Sequence, residues 1–455
     1  MGERLVRIGS GNAEGPPRAT GPGGVSKNVV QQPLWSLTRR LWDGAVGPLL
    51  SFVALLALPV LGAVVLDDRN FAFWALLSTI ATVALSIDFG GVSLVTVRFY
   101  SEPRGKLLLK SAALSASGAL AIGCVACIVW IPFRHTALGQ SIPAPAAIAA
   151  ILTMSVASAI RSALMVVAQA ALIASKLALR NAAIAGHALI AAVTTSVLLF
   201  STHSFWALPL GWLVSGVLVM CVVLPWAWRT RRYEAAEAVI VQPFKWRQYA
   251  GLRTLSTITA SVYLNADRWI VAALGGPALL ATYEVAWRFA ALPRFLVQNL
   301  ALRVGADTSS LGRSDEKQLA TLLRGSTLIA AVAGLSSCAP VVAAYWAFVS
   351  FTGLEPHWPM FVAMLVAFTV FSVATPLSLS GAAVGNAWID IPYAAGALAA
   401  SGVLAIVAAH LERPGIFIFG YLAVLVTGVC CFFLYAPALV RRGLGSREAI
   451  ATAHT

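Results

Sequence analysis

The sequence predicts an all-α polytopic membrane protein: about twelve transmembrane helices in two six-helix bundles related by a pseudo-two-fold axis. Three observations carry this. Only 11% of residues are charged and 59% are hydrophobic, with a mean hydropathy of +0.82, whereas soluble domains carry about 25% charged residues. Apolar runs long enough to cross a hydrocarbon core as helices recur along nearly the whole chain. Between these runs, Lys and Arg concentrate in alternate connections. Runs this long and without alternation exclude a membrane β-barrel.

The elements follow in order. The first 30 residues are rich in Gly and Pro and lack a long apolar core. They are no secretory signal peptide, and residues 1–44 read as a cytoplasmic, partly disordered tail. Spans 1 (45–66) and 2 (71–97) flank the loop "DDRN" at 67–70. Spans 3 (111–132) and 4 (142–171) precede spans 5 (182–201) and 6 (205–226), which turn on "THS" at 202–204. The hydrophilic stretch 227–253 has six runs on either side, so it reads as a cytoplasmic linker. It joins an N-terminal bundle (45–226) to a C-terminal bundle (254–438). The second bundle holds spans 7 (254–274), 8 (278–302), 9 (326–350), 10 (359–383), 11 (391–410) and 12 (415–438). Pro293 is placed to kink span 8. Residues 439–455 form a second cytoplasmic tail. "FAFWALLSTI" (71–80) and "LATYEVAWRF" (280–289) form a weak repeat, each bringing an aromatic (Trp74, Tyr283) to the membrane edge.

The formal net charge of +14 is a topology signal. With the N-terminus inside, the inner segments hold 25 of the 32 Lys and Arg residues. The outer loops hold only Arg69, Arg134 and Arg413. This is the positive-inside bias of a multi-pass protein of the cytoplasmic membrane, with both termini cytoplasmic. Membrane lipids are the expected partners of the basic segments, and nucleic acid is not. No GxxxxGK[ST] occurs, which argues against an ATP-driven pump. Asp67 and Asp68 sit in an outer loop of four residues, too short for the structured first loop of a membrane glycosyltransferase. Cys124 and Cys127 have no second pair or His cluster and read as packing residues. His135, His203, His357 and His410 show no metal spacing. Neither enzymatic activity, nor a cofactor, nor a metal is expected.

The informative residues are the charges inside the spans: Asp88, Arg161, Asp267, Arg268, Glu284, Arg288 and Arg294. Each costs about 2.5–3.5 kcal/mol at a helix centre on insertion scales. They must therefore face protein or water, and the spans that carry them (2, 4, 7 and 8) are expected to line a wet cavity. At about 100° per residue, Glu284, Arg288, Arg294, Gln298 and Asn299 fall on one side of span 8. Glu284 and Arg288 are i, i+4 neighbours that can pair. Asn265 and Arg268 share a face of span 7, while Asp267 points elsewhere. Simpler readings exist: Arg294 snorkels to the inner surface, or Glu284 reaches headgroups.

Two stretches resemble the polysaccharide (O-antigen) flippase family of the multidrug/oligosaccharidyl-lipid/polysaccharide (MOP) exporter superfamily. "FAFWALLSTIATVALSIDFGGVSLVTVRF" matches its D-x-G and following basic residue at Asp88, Gly90 and Arg98. "LNADRWIVAALGGPALLATYEVAWRFAALP" matches its D-[KR], L-G and Tyr at Asp267, Arg268, Leu274, Gly275 and Tyr283. The chain departs from the family in "LDDRNFAFW", where an L-G-x-x-x-[YF]-G is usual, and Arg161 matches no family motif. A first span without a cationic residue speaks against the lipid II flippase branch.

The resemblance implies a flippase moving a polyprenyl-diphosphate-linked oligosaccharide across the cytoplasmic membrane for cell-surface polysaccharide assembly. Expected substrate contacts are Arg161, Arg268, Arg288, Arg294, Asn265 and Gln298, because Arg suits bidentate phosphate contact. Coupling to H+ or Na+ would run through Asp88, Asp267 and Glu284. Polysaccharide synthesis machinery is a candidate partner of the linker. A cation-coupled drug or metabolite antiporter of the same superfamily is the alternative.

Overall fold

The computed structural model describes residues 57–86, 104–173, 177–230, 246–309, 316–353 and 355–452. Asp88, most of span 1 and the centre of the linker lie outside them. Every regular element among the described residues is a helix. We label them α1 (57–65), α2 (Asp68–Ser86), α3 (Arg104–Phe133), α4 (Ala137–Ser141), α5 (Ala144–Ile173), α6 (Leu177–Thr202) and α7 (Ala207–Thr230). The second series is α8 (Trp246–Ala290), α9 (Leu292–Ser309), α10 (Glu316–Thr352), α11 (Trp358–Val373), α12 (Thr375–Ala383), α13 (Ile391–His410) and α14 (Pro414–Thr452). Among the described residues, eight helical stretches are long and apolar enough to cross a membrane, and Ala207–Val223 is a shorter apolar one.

Large apolar side chains such as Val197, Leu335, Ile406 and Leu434 point outward. In water such a surface would drive association; against acyl chains it costs nothing. Helix contact inside lipid must then come from close packing rather than from water exclusion. Gly211 shows how: a Cβ there would run into Thr195, so only glycine lets α7 approach α6 this closely. The approach is reinforced by Thr194 Oγ1, 3.1 Å from the Gly211 carbonyl, and by Ser215 Oγ, which donates to the His187 carbonyl at 2.6 Å.

The helices pack as two groups, α2–α7 and α8–α14, joined chiefly through α2 and α4 against α8. Spans 7 and 8 are one long element, α8, made of two helices that meet at Gly276. Its φ of 72° and ψ of −169° lie in a region open essentially to glycine alone, and Pro277 restarts the second helix. Span 8 then bends at Ala291, two residues before Pro293, and continues as α9. Span 10 is also interrupted: α11 stops at Val373 and α12 restarts at Thr375 with Pro376 in its first turn. Backbone irregularity of this kind is tolerated at membrane depth only where protein or a cavity receives it. The α11–α12 break meets this condition, since Ala374 and Thr375 line a cavity.

Candidate functional site

The cavity has a volume of about 520 Å³ and draws its walls from both helix groups. Leu85 of α2, Ser115 of α3 and Arg161, Ser162 and Met165 of α5 form one side. Arg253 and Leu264 of α8, Phe295, Gln298 and Asn299 of α9, and Phe371 and Ser378 beside the α11–α12 break form the other. Asp390, Tyr393 and Phe432 complete it from the α13–α14 side. It lies away from the short loops, since Leu85 ends α2, Arg253 begins α8 and Asp390 precedes α13.

The short-loop end is closed. Trp269 Nε1 donates to Thr79 Oγ1 at 2.8 Å, and Arg288 Nη2 donates to Ser78 Oγ at 2.6 Å. The Phe133 ring meets Trp269 edge-on at 5.1 Å. These contacts join α2 and α3 to α8, so the two groups touch at the short-loop end, beyond the cavity.

The charges of spans 7 and 8 build this closure. Glu284, fully buried, accepts from Arg268 Nε at 2.5 Å and from Arg288 Nε at 2.6 Å. Arg268 Nη1 also donates to Asn265 Oδ1 at 2.9 Å, and its guanidinium lies 3.7 Å from the Trp287 ring centre. Asp267 Oδ2 accepts from Tyr283 Oη on the second α8 helix, while Oδ1 has no hydrogen bond and lies 4.0 Å from Arg268 Nη1. Four charges thus neutralise one another across the Gly276 hairpin. Such clusters repay their desolvation only when geometry and hydrogen bonding are good, a condition Glu284 meets with its two guanidinium partners.

The sequence-predicted residues therefore separate. Arg161 and Gln298 lie on the cavity wall. Arg268, Arg288, Asn265 and Glu284 belong to the buried cluster, so Glu284 does not reach headgroups. Arg294 does not snorkel. It is buried with Nε unpaired, its guanidinium 5.0 Å from the Phe371 ring centre, behind the aromatic wall. Asp88 lies outside the described residues.

Sequence reasoning missed one polar wall of the cavity. Arg253 Nη1 donates to Asp390 Oδ2 at 3.0 Å, and Ser378 Oγ donates to Asp390 Oδ1 at 2.7 Å. Both ionised residues fall in the connections between the expected spans, not within them. Two rings behind Arg161 were also missed. The guanidinium lies 4.5 Å from the centre of the Trp212 ring, and His187 meets that ring edge-on at 6.2 Å. The signal for His187 was a lone histidine inside an apolar run. Among the described residues, no three His, Cys, Asp or Glu side chains come together as a metal site.

No family model and no curated protein sequence matches the chain. Solved structures do. A MOP superfamily transporter from Pyrococcus furiosus, described as having a binding pocket of reversed polarity that suggests a different function, is 13% identical with a TM-score of 0.64. The match covers 91% of this chain and 98% of that one. An outward-facing multidrug resistance MATE family transporter is 14% identical with a TM-score of 0.63, over the same shares of the two chains. A MATE transporter from Vibrio cholerae is 10% identical with a TM-score of 0.60, again covering 91% and 98%. At these identities the likeness speaks for the fold: the chain has the all-helical, polytopic fold of the MOP superfamily transporters.

Proposed function

We propose that this chain is a transporter that moves a polyprenyl-diphosphate-linked oligosaccharide across the cytoplasmic membrane by alternating access. The observation that carries the reading is Arg161: a cation on the wall of a cavity shared by both helix groups, with no carboxylate partner among the described residues. Such a wall favours an anionic head, while a prenyl tail stays in lipid. Closure at the short-loop end, with a cavity toward the other, fits one of the two states such a cycle needs. The positive-inside bias would put the cavity on the cytoplasmic side, with the linker and both tails. Coupling to H+ or Na+ through Asp88, Asp267 and Glu284, and a docking role for the linker, belong to the same proposal.

The MATE likeness favours a second reading, a cation-coupled drug antiporter. A cationic drug prefers acidic walls, and the cavity's carboxylate, Asp390, is already matched by Arg253. Deleting the gene in its native host separates the two. The proposal expects lipid-linked oligosaccharide to accumulate in the inner leaflet, with restoration by the intact gene. Normal surface glycan together with drug sensitivity would replace it with the second reading.

A further inference from the structure

The two sides of the cavity differ in hydrogen-bonding sense. Arg161, on the α5 side, carries only donors. The wall facing it, drawn from α8, α9, α12 and the start of α13, is built from acceptors. Ser378 gives its one proton to Asp390 Oδ1 at 2.7 Å. Thr257 gives its one proton to the Arg253 carbonyl at 2.8 Å. Toward a guest, both hydroxyls can therefore only accept. Asn299 fixes its Nδ2 on the Phe295 carbonyl at 2.8 Å, with Oδ1 on the other arm of the amide. Gln298 and Thr375 beside them carry groups of both kinds.

Asp390 anchors this wall. It is the N-cap residue of α13, yet its side chain makes no cap hydrogen bond. A capping aspartate usually accepts from first-turn N–H groups, and Pro392 has removed one of them. Its oxygens go instead to Arg253 Nη1 at 3.0 Å and Ser378 Oγ at 2.7 Å, one each. A carboxylate offers about four lone-pair sites, so after these two bonds each oxygen keeps a site for a guest. Asp390 is only 5% exposed and lines the cavity. Its charge is met by Arg253, so a cation gains little there, whereas a neutral donor gains a charge-assisted hydrogen bond. Three rings of the same wall interlock. Tyr393 stands edge-on to Phe432 at 5.3 Å and is tilted by 56° against Phe371 at 6.5 Å.

We infer that Asp390, Ser378, Thr257 and Asn299 form a saccharide subsite that accepts the hydroxyl protons of a sugar ring, with Asp390 as its specificity-determining residue. A pyranose presents O–H donors around its rim and C–H groups on its faces. The donors suit the acceptor wall, and the C–H groups pack on aromatic rings, whose faces are the negative part of the π system. A few placed polar groups among apolar ones are what fix the orientation of a guest in a pocket. The inference deepens the transport reading and rests on it only for the lipid that carries the sugar.

The full chain in lipid nanodiscs is titrated by saturation-transfer difference NMR with the methyl glycosides of glucose, galactose, rhamnose and N-acetylglucosamine, each beside its fully O-methylated form. O-methylation keeps the ring and its oxygens and removes the O–H donors. Saturable binding of at least one glycoside is expected, with a Kd of about a millimolar for so small a ligand, and its methylated form should not saturate. D390N, N299L and T257V should each weaken binding about three- to tenfold, the loss of a hydrogen bond. Methylammonium should not compete. No saturable binding by any glycoside, equal binding of the methylated forms, or unchanged affinity in folded D390N and N299L overturns the subsite. Displacement of the sugar by methylammonium also overturns it and assigns Asp390 to a cation. Should D390N fail to fold, N299L and T257V decide, since both leave the Arg253–Asp390 pair in place. Glycoside binding with normal surface glycan after gene deletion keeps the subsite and removes the transport reading. Accumulation of lipid-linked oligosaccharide on deletion, with no glycoside binding, does the reverse.

Discussion

Glu284→Ala is the perturbation whose outcome follows most directly from the geometry. Glu284 is fully buried and holds two guanidinium groups, Arg268 at 2.5 Å and Arg288 at 2.6 Å. Removing it leaves Arg268 with Asn265 and a carboxylate oxygen of Asp267 4.0 Å away. Arg288 keeps its hydrogen bond to Ser78 Oγ. Breaking a buried ion pair by removing one partner costs about 3–5 kcal/mol, because a charge is left uncompensated. Spread over the unfolding entropy of a chain this long, that is a drop in melting temperature of about 4 °C. The assay is thermal unfolding of purified protein in detergent, read by reaction of the partly buried cysteines Cys127 and Cys338. Glu284→Ala combined with Arg268→Leu should recover part of the loss, since neutral partners of similar size need no compensation. A Glu284→Ala protein that melts with the wild type, or a double variant whose losses simply add, would refute the reasoning.

Other outcomes follow from single contacts. Gly276→Ala forces a Cβ into a conformation reserved for glycine and should cost about 1–3 kcal/mol by the same melting assay. Gly211→Ala drives a methyl into Thr195 and should cost about 1–3 kcal/mol by separating α6 from α7. Asp390→Asn removes the carboxylate charge 3.0 Å from Arg253 on the cavity wall and should lower the melting temperature more than Ser378→Ala does. Thr79→Ala removes the acceptor of Trp269 Nε1 and should cost about 1 kcal/mol. It should also speed labelling of a cysteine introduced at Phe133 by a water-soluble maleimide, a measure of short-loop opening.

Much of this architecture was legible in the sequence because lipid leaves little choice. Backbone groups must be satisfied within the helix, so long apolar runs could be nothing else. Charges inside those runs had to find partners, which is why Asp267, Arg268 and Glu284 stood out before any coordinate. Their pairing was not legible. Arg268 and Glu284 are sixteen residues apart, and they meet only because Gly276 folds the two α8 helices together. Periodicity put Glu284, Arg288 and Arg294 on one face, but the bend at Ala291 sends Arg294 to a different aromatic setting. The break at Ala374 was hidden in a run without charges, with Pro376 and the flanking Ser372 and Thr375 its only marks. Asp390 and Arg253 escaped because a charge at a span end has an easy explanation in water. His187 and Trp212 escaped because neutral side chains in an apolar run carry no visible penalty until their nitrogens are seen to lack partners.

We propose that the uncompensated guanidinium of Arg161 makes the shared cavity a carrier for an anionic lipid-linked head. Reconstituted vesicles with a fluorescent prenyl-diphosphate oligosaccharide in the inner leaflet test it most directly, with R161Q compared against R161K and E284A at equal protein content. The account expects flipping by the wild type, near-complete loss in R161Q and partial retention in R161K. Wild-type flipping in R161Q would contradict it.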